Sequence, residues 1–308
     1  MIKLLVLLAF SIIKKREKRN KKQIKMIFIC FLLNFQMNLI VSKCWQGQPK
    51  KGVHTGAEIL TKYFKDFPNI KHTNIPTKHF NNKLKGYHKI FKANNKAFRQ
   101  NRRPINLGGD HSISGASLAA SLQQFGDDLC VVWVDAHADI NTIESSPSGN
   151  FHGMPVASAM HLMKPWVKAP PLKPSQIVYI GLRDLDPFEE EFIQKHSIVN
   201  YTGEDVHGMG MNYILDDCSK CITGKKIHYS FDIDAMEPVI APSTGTPVED
   251  GLECHDVYNI HHKMFELGEV VNCDFVEYNP EIGDTFDNKI TRNTYRKIIH
   301  QFMSFYTK

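Results

Sequence analysis

The sequence lacks several features that would assign it to large protein classes. It has no apolar run of roughly 20 residues, the length a helix needs to cross a bilayer. Its seven cysteines are odd in number and widely scattered. That pattern excludes a disulfide framework and points to a reducing compartment. Cys218 and Cys221 form a lone C-x-x-C. Without a second pair it reads as incidental rather than as a zinc or redox motif. No internal repeat and no long linker is visible. Net charge is also scarce once the N-terminus is set aside. Residues 1–25 hold nine Lys/Arg and one Glu, which leaves 29 basic and 31 acidic side chains in residues 26–308. A near-neutral body argues against nucleic acid as a partner, because that role calls for a basic face.

One stretch lacks acidic residues altogether. From Phe67 to Gly109 there are none, while ten Lys/Arg fall between Lys71 and Arg103. Leu84, Tyr87, Phe91 and Phe98 recur at helical spacing. The pattern predicts a solvated lysine face opposite a buried stripe. An anionic partner is the alternative reading.

The N-terminus differs from the rest. Residues 1–13 are apolar, 14–25 form a basic run, and 26–42 are apolar again. Lys14–Lys25 followed by Met26–Leu33 has the order of a secretory or organellar signal. However, an apolar stretch precedes the charged one, and no small-x-small cleavage site follows. The favoured expectation is an extension over residues 1–36 that lies outside the fold. The catalytic domain would then span 37–308, begin with a strand at Met37–Ser42, and work in the cytoplasm.

The 308-residue length suits one large α/β domain. Candidate strands are Asn38–Ser42, Pro104–Leu107, Leu129–Val134, Gln176–Ile180, Lys226–Phe231 and Val270–Phe275. Candidate helices are His54–Phe67, Leu84–Asn101, Gly115–Phe125, Met154–Met163, Pro187–Lys195, Met211–Thr223 and His255–Leu267. The alternation predicts a three-layer α/β fold: a mostly parallel sheet with helices on both faces. In such sheets, sites form beyond the carboxyl ends of the strands.

Four clusters occupy positions of that kind. Gly108-Gly109-Asp110-His111-Ser112 follows the strand ending at Leu107. Asp135-Ala136-His137-Ala138-Asp139 follows Cys130–Val134. If the extended backbone continues, 135, 137 and 139 point the same way. Ser230-Phe231-Asp232-Ile233-Asp234 repeats the arrangement and runs into the loop Ala241–Pro247. Ser148-Gly149-Asn150-Phe151-His152-Gly153 carries a hydroxyl, an amide and an imidazole. Carboxylates ending apolar strands are costly to desolvate without compensation, and no Lys or Arg stands nearby in sequence. Four aspartates (Asp135, Asp139, Asp232, Asp234) balance two divalent cations, and His111 and His137 add neutral nitrogen donors. Mostly oxygen donors with some imidazole suit Mn²⁺, and zinc also fits the ligand types.

Taken in this order, GGDHS, DAHAD, SGNFHG and SFDIDAMEP…APSTGTP resemble the signature segments of the binuclear manganese ureohydrolases. Gly47-Gln48-Pro49-Lys50-Lys51-Gly52-Val53 resembles the start of arginases in particular. Other similar segments are Tyr179–Pro187 and Glu277–Pro280. The resemblance covers roughly residues 38–308 and implies an arginase/deacetylase-like fold. It also implies an arginase, a hydrolase acting on linear amidines, with two Mn²⁺ per subunit. By that resemblance His111, Asp135, Asp139 and Asp232 hold one ion, and Asp135, His137, Asp232 and Asp234 the other. A metal-bridging hydroxide, hydrogen-bonded by Asp139, would attack the guanidinium of L-arginine to give L-ornithine and urea. His152 would shuttle protons and Glu277 would orient the guanidinium. Asn141, Ser148, Asn150 and Asp186 would hold the α-amino and α-carboxylate groups. Glu189 would help through water, and Thr246 would be a further contact.

The family also implies a homotrimer and a place in arginine metabolism such as the urea cycle. Three departures stand out. Glu237 replaces a usual Asp, Asp250 replaces a usual Gly, and His255-Asp256 replaces an Arg–Glu pair common at the trimer interface. Three rivals follow: an agmatinase or other guanidino hydrolase, an inactive scaffold lacking metal, and a deacetylase-like hydrolase. All six expected ligands are present, which disfavours the scaffold. A deacetylase-like enzyme would carry one zinc.

Overall fold

Eight strands build the centre: β1 Gln36–Ser42, β2 Ile70–Ile75, β3 Arg102–Gly108, β4 Leu129–Val134, β5 Ile177–Leu182, β6 Val199–Thr202, β7 Lys226–Asp232 and β8 Glu269–Val276. They form one parallel sheet in the order β2-β1-β3-β8-β7-β4-β5-β6. The computed structural model describes residues 36–67 and 69–306, and Met37–Lys308 forms one compact unit. The expected extension, Gln36 apart, lies outside the described residues. Among the described residues no helix is long and apolar enough to cross a membrane.

Alternation along the central strands shows why the sheet is covered twice. On β4, Cys130, Val132 and Val134 pack into one core cluster, while Leu129, Val131 and Trp133 pack into another. Every residue of β4 and β5 is buried. Helices α1 Val53–Leu60, α7 Met211–Ile222, α8 Cys254–Leu267 and α9 Thr285–Tyr306 supply the first cluster. Helices α2 Lys83–Arg99, α3 Ser114–Phe125 and α4 Pro155–Met160 lie against the second face. The shorter helices α5 Pro187–Lys195 and α6 Gly203–Met209 flank the β5–β6 edge.

Several expectations need adjustment. The edge strands β2 and β6 and helices α6 and α9 were not foreseen. Leu84 was expected inside but is 47% exposed. The buried side of α2 is Gly86, Tyr87, Ile90, Asn94 and Ala97, and Phe91 and Phe98 are only partly covered. Tyr87 sets this rotation: its ring stacks on Trp166 at 4.6 Å, and its hydroxyl donates to Ser112 Oγ at 2.8 Å.

Candidate metal centre

The four central strands deliver the site. Leu107 on β3 is level with Phe275 on β8, Phe231 on β7 is level with Phe275, and Val134 on β4 is level with Phe231. The segments that follow them therefore leave the sheet side by side. They carry His111, Glu277, Asp232–Asp234 and Asp135–Asp139.

Extended backbone does not continue through the second cluster as expected. β4 stops at Val134, the chain bends at 135–137, and Asp139 adopts a left-handed φ of 55°. The aspartates converge because of this bend and not because of strand alternation. The third cluster behaves similarly. β7 ends at Asp232, whose side chain accepts the Asp234 N–H at 2.9 Å and starts a 3₁₀ turn. Arg183 secures that turn from outside, donating to the Asp234 carbonyl at 2.7 Å and to the Val248 carbonyl at 2.9 Å.

Around His111 Nδ1 stand three carboxylate oxygens: Asp135 at 2.9 Å, Asp139 at 3.1 Å and Asp232 at 3.1 Å. Around His137 Nδ1 stand Asp135 and Asp234, each at 3.3 Å. Two compact ligand groups result, His111–Asp135–Asp232 and Asp135–His137–Asp234, and they share Asp135. Despite their short separations, His111 Nδ1 and Asp139 Oδ2 are buried without a hydrogen-bond partner. Donor atoms at right angles on bonds of about 2.1 Å stand about 3 Å apart, so the spacing fits cations shared among these atoms. The residues present therefore fit a pair of divalent ions. The imidazoles are also aimed: His111 Nε2 hydrogen-bonds Ser230 Oγ at 2.8 Å, and His137 Nε2 lies 3.5 Å from Asp184. Trp133 stacks on the His111 ring at 4.4 Å.

Electrostatics give the same message. Burial and the neighbouring charge of Asp135 push Asp139 up to about 6. Burial, then Asp234 and Asp135, push Asp232 well above the ordinary carboxylate range. At Asp135 burial is outweighed by His111 and His137, themselves raised by the aspartates against burial, and the carboxyl is held below the ordinary carboxylate range, while Asp139 and Asp232 stay raised. Two imidazoles offset only part of the charge of four aspartates, and cations would meet the rest.

Glu277 lies beside it, 2% exposed, with a left-handed φ of 67°. Its Oε1 accepts the His111 N–H at 2.8 Å and stands 3.5 Å from His152 Nδ1. Burial works against charge on His152, but Glu277 outweighs it and raises the imidazole above its usual value. Asn141 Nδ2 donates to Asp186 at 2.7 Å, and Thr246 Oγ1 donates to Asp234 at 2.8 Å. Glu189 accepts the Ile140 N–H at 3.0 Å and the Asp186 N–H at 3.1 Å, and burial pushes it up to about 7. Ser148 and Asn150 sit apart from this group on the more exposed loop, where Ser148 Oγ accepts the Asn150 N–H at 3.2 Å.

The model of the arginase family matches residues 43–304. This chain belongs to the arginase family. The hepatic arginase of Aquarana catesbeiana is 41% identical over 202 residues, 62% of this chain and 62% of that one. The match thus spans less than two thirds of that relative. The crystal structure of arginase from Bacillus subtilis is 30% identical with a TM-score of 0.80, covering 87% of this chain and 98% of that one. Arginase from Entamoeba histolytica, solved in complex with L-ornithine, is 30% identical with a TM-score of 0.75, covering 86% and 99%.

The departures from the arginase pattern have local explanations. Asp250 takes a left-handed φ of 61°, the conformation that makes glycine usual there and that Asp tolerates better than most residues. Glu237 caps the same loop by accepting the Gly251 N–H at 2.7 Å. His255 is 69% exposed and lies within 3.3 Å of Glu253 and Asp256. Two contributors escaped sequence reasoning, although both lie in segments that resemble arginases. One is Arg183; the other is Gln48, whose Nε2 donates to Glu277 Oε2 at 2.6 Å.

Proposed function

We propose that the chain hydrolyses L-arginine to L-ornithine and urea at a pair of Mn²⁺ ions. The observation that carries this reading is the pair of His/carboxylate groups sharing Asp135, with Glu277 and His152 beside them. His111, Asp135, Asp139 and Asp232 would hold one ion, and Asp135, His137, Asp232 and Asp234 the other. Oxygen-rich donors with imidazole and no thiolate favour manganese. Bound, the ions supply Lewis-acid charge for activating water at neutral pH.

The side chains divide the remaining work. Glu277, buried beside the ligands, pairs with the guanidinium and turns its carbon toward the aspartates. Hydrolysis adds one water across a C–N bond: its oxygen joins the guanidinium carbon as the bond to the ornithine nitrogen breaks, and its hydrogens end on the departing amine, which needs a proton to leave. His152 supplies it, since Glu277 keeps the ring protonated more readily than a free imidazole. Asn141, Ser148, Asn150 and Asp186 would together hold the α-amino and α-carboxylate groups, with Glu189 helping through water. Thr246 holds Asp234 in register.

An α-carboxylate grip separates arginine from agmatine, which has none. Urea release from both substrates, with manganese present, tests the reading. Arginine should turn over at least tenfold faster in kcat/KM; faster turnover of agmatine overturns the choice. We further assign a homotrimer, cytoplasmic location and an extension over residues 1–36 by family likeness and sequence.

A further inference from the structure

We propose that Gln48 is a positioning residue that fixes the Glu277 carboxylate for the guanidinium. The proposal rests on the guanidinium role assigned to Glu277 above. Glu277 leaves β8 with a left-handed backbone, which a non-glycine residue adopts only when its surroundings hold it there. Those surroundings take both carboxylate oxygens. Oε1 accepts the His111 N–H at 2.8 Å, and Oε2 accepts Gln48 Nε2 at 2.6 Å. Gln48 is itself 6% exposed.

The segment carrying Gln48 is held at several points. Gly47 N–H donates to Asp110 Oδ2 at 2.9 Å. The Gly47 carbonyl accepts the His152 N–H at 3.1 Å. Lys50 Nζ donates to the Gly245 carbonyl. Gln48 Oε1 lies only 3.0 Å from where a Cβ on Gly245 would stand, so glycine there lets the amide in. One short segment thus touches the guanidinium-binding carboxylate, the proton carrier and the Ser243–Thr246 loop.

Chemistry explains the amide. A Lys or Arg at this position would neutralise Glu277 and compete with the cationic substrate. A carboxylate would repel it. A neutral N–H donor orients the carboxylate and leaves its full charge for the guanidinium.

The test is a double-mutant cycle. Gln48→Met keeps length and removes the donor. It should keep two metals per chain and the wild-type melting temperature. Its kcat/KM for arginine should fall roughly ten- to a hundred-fold, more through kcat than KM. In a Glu277→Gln background the same change should cost less than about twofold, because the charged carboxylate that Gln48 positions is already gone. Gln48→Asn, whose amide is one methylene short, should follow Gln48→Met: costly in the wild-type background and nearly silent in Glu277→Gln. Full, additive losses in the double variants overturn the proposal, as does wild-type turnover by Gln48→Met. Normal arginine turnover by Glu277→Gln alone overturns the role of Glu277, and the proposal with it.

Discussion

Two polar clusters share strands β3, β7 and β8 and differ in one respect. Below the strand ends lies a fully buried network of Asn94, Asn106, Ser117, Ser121, His228, Asn272 and Asp274. Asp274 accepts from Asn106 at 2.8 Å, Ser117 at 2.7 Å and His228 at 3.0 Å. His228 in turn meets Ser121 Oγ at 2.9 Å, and Asn272 bonds Asn94 and Ser121. No side-chain atom of this network is left without a partner. At the strand ends, His111 Nδ1 and Asp139 Oδ2 are buried without a hydrogen bond. A Ser–His–Asp chain in the interior could be mistaken for a hydrolytic triad, but it is closed on itself and inaccessible. The incomplete cluster is the one with chemistry left to do. Saturation marks structure; convergent deficit marks a site for ions.

Opposite signs of response would sharpen that contrast. The largest effect is expected at Asp232, which belongs to the His111 ligand group and sits near Asp135 and Asp234. Asp232→Asn should lower metal content below two per chain and cut arginine turnover by about a thousand-fold, since several kcal/mol of charge stabilisation disappear. The metal-free variant should nevertheless melt no lower than metal-free wild type, because one uncompensated buried charge is gone. Elemental analysis and thermal melts read both quantities. A clear drop in the metal-free melt would mean that Asp232 is a structural residue.

Asp274→Asn comes next and should act the other way. It leaves three inward donors facing an amide that cannot accept as a carboxylate does. A loss of about 3 kcal/mol is expected, or roughly 6–12 °C in melting temperature, with metal content retained in the folded protein. An unchanged melt would break the distinction between the two clusters.

Legibility followed the same physics. The six strands expected from apolar runs are those buried on both faces, and Leu129–Val134 matches its expected bounds. β2 and β6 are edge strands with mixed or partial burial, so they carry no apolar run to read. α9 was missed although Thr291, Thr294, Tyr295, Ile298, Ile299, Phe302, Met303 and Tyr306 follow a helical period. Threonines in its first buried turns blunted the signal. At the site, motif order brought His111, Asp135, His137, Asp139, Asp232 and Asp234 into view together. Their convergence depends on a bend and a left-handed Asp139 that no periodicity encodes. Gln48 stayed hidden because its partner lies 229 residues away.

The smallest expected effect lies on the opposite face of β7. There Tyr229 and Phe231 replace the polar His228 and Ser230, and His261 of α8 packs edge-on to Tyr229 at 5.2 Å. Its Nε2 reaches the Tyr229 hydroxyl at 3.0 Å, and burial pushes its pKa down to about 3. The folded value is below the unfolded one, so the unfolded chain binds the extra proton. The neutral ring's contribution is therefore complete above about pH 6.5 and is lost as pH falls toward 3. Between pH 6.5 and 5 the loss is about 2 kcal/mol, or roughly 4–8 °C. Metal-free protein should be used, since acid also strips the strand-end ions and would add its own slope. His261→Gln keeps a donor near Tyr229 but cannot titrate. Its melting temperature should fall less between pH 7 and 5 than that of wild type. Parallel slopes would show that His261 is not the group being protonated on unfolding.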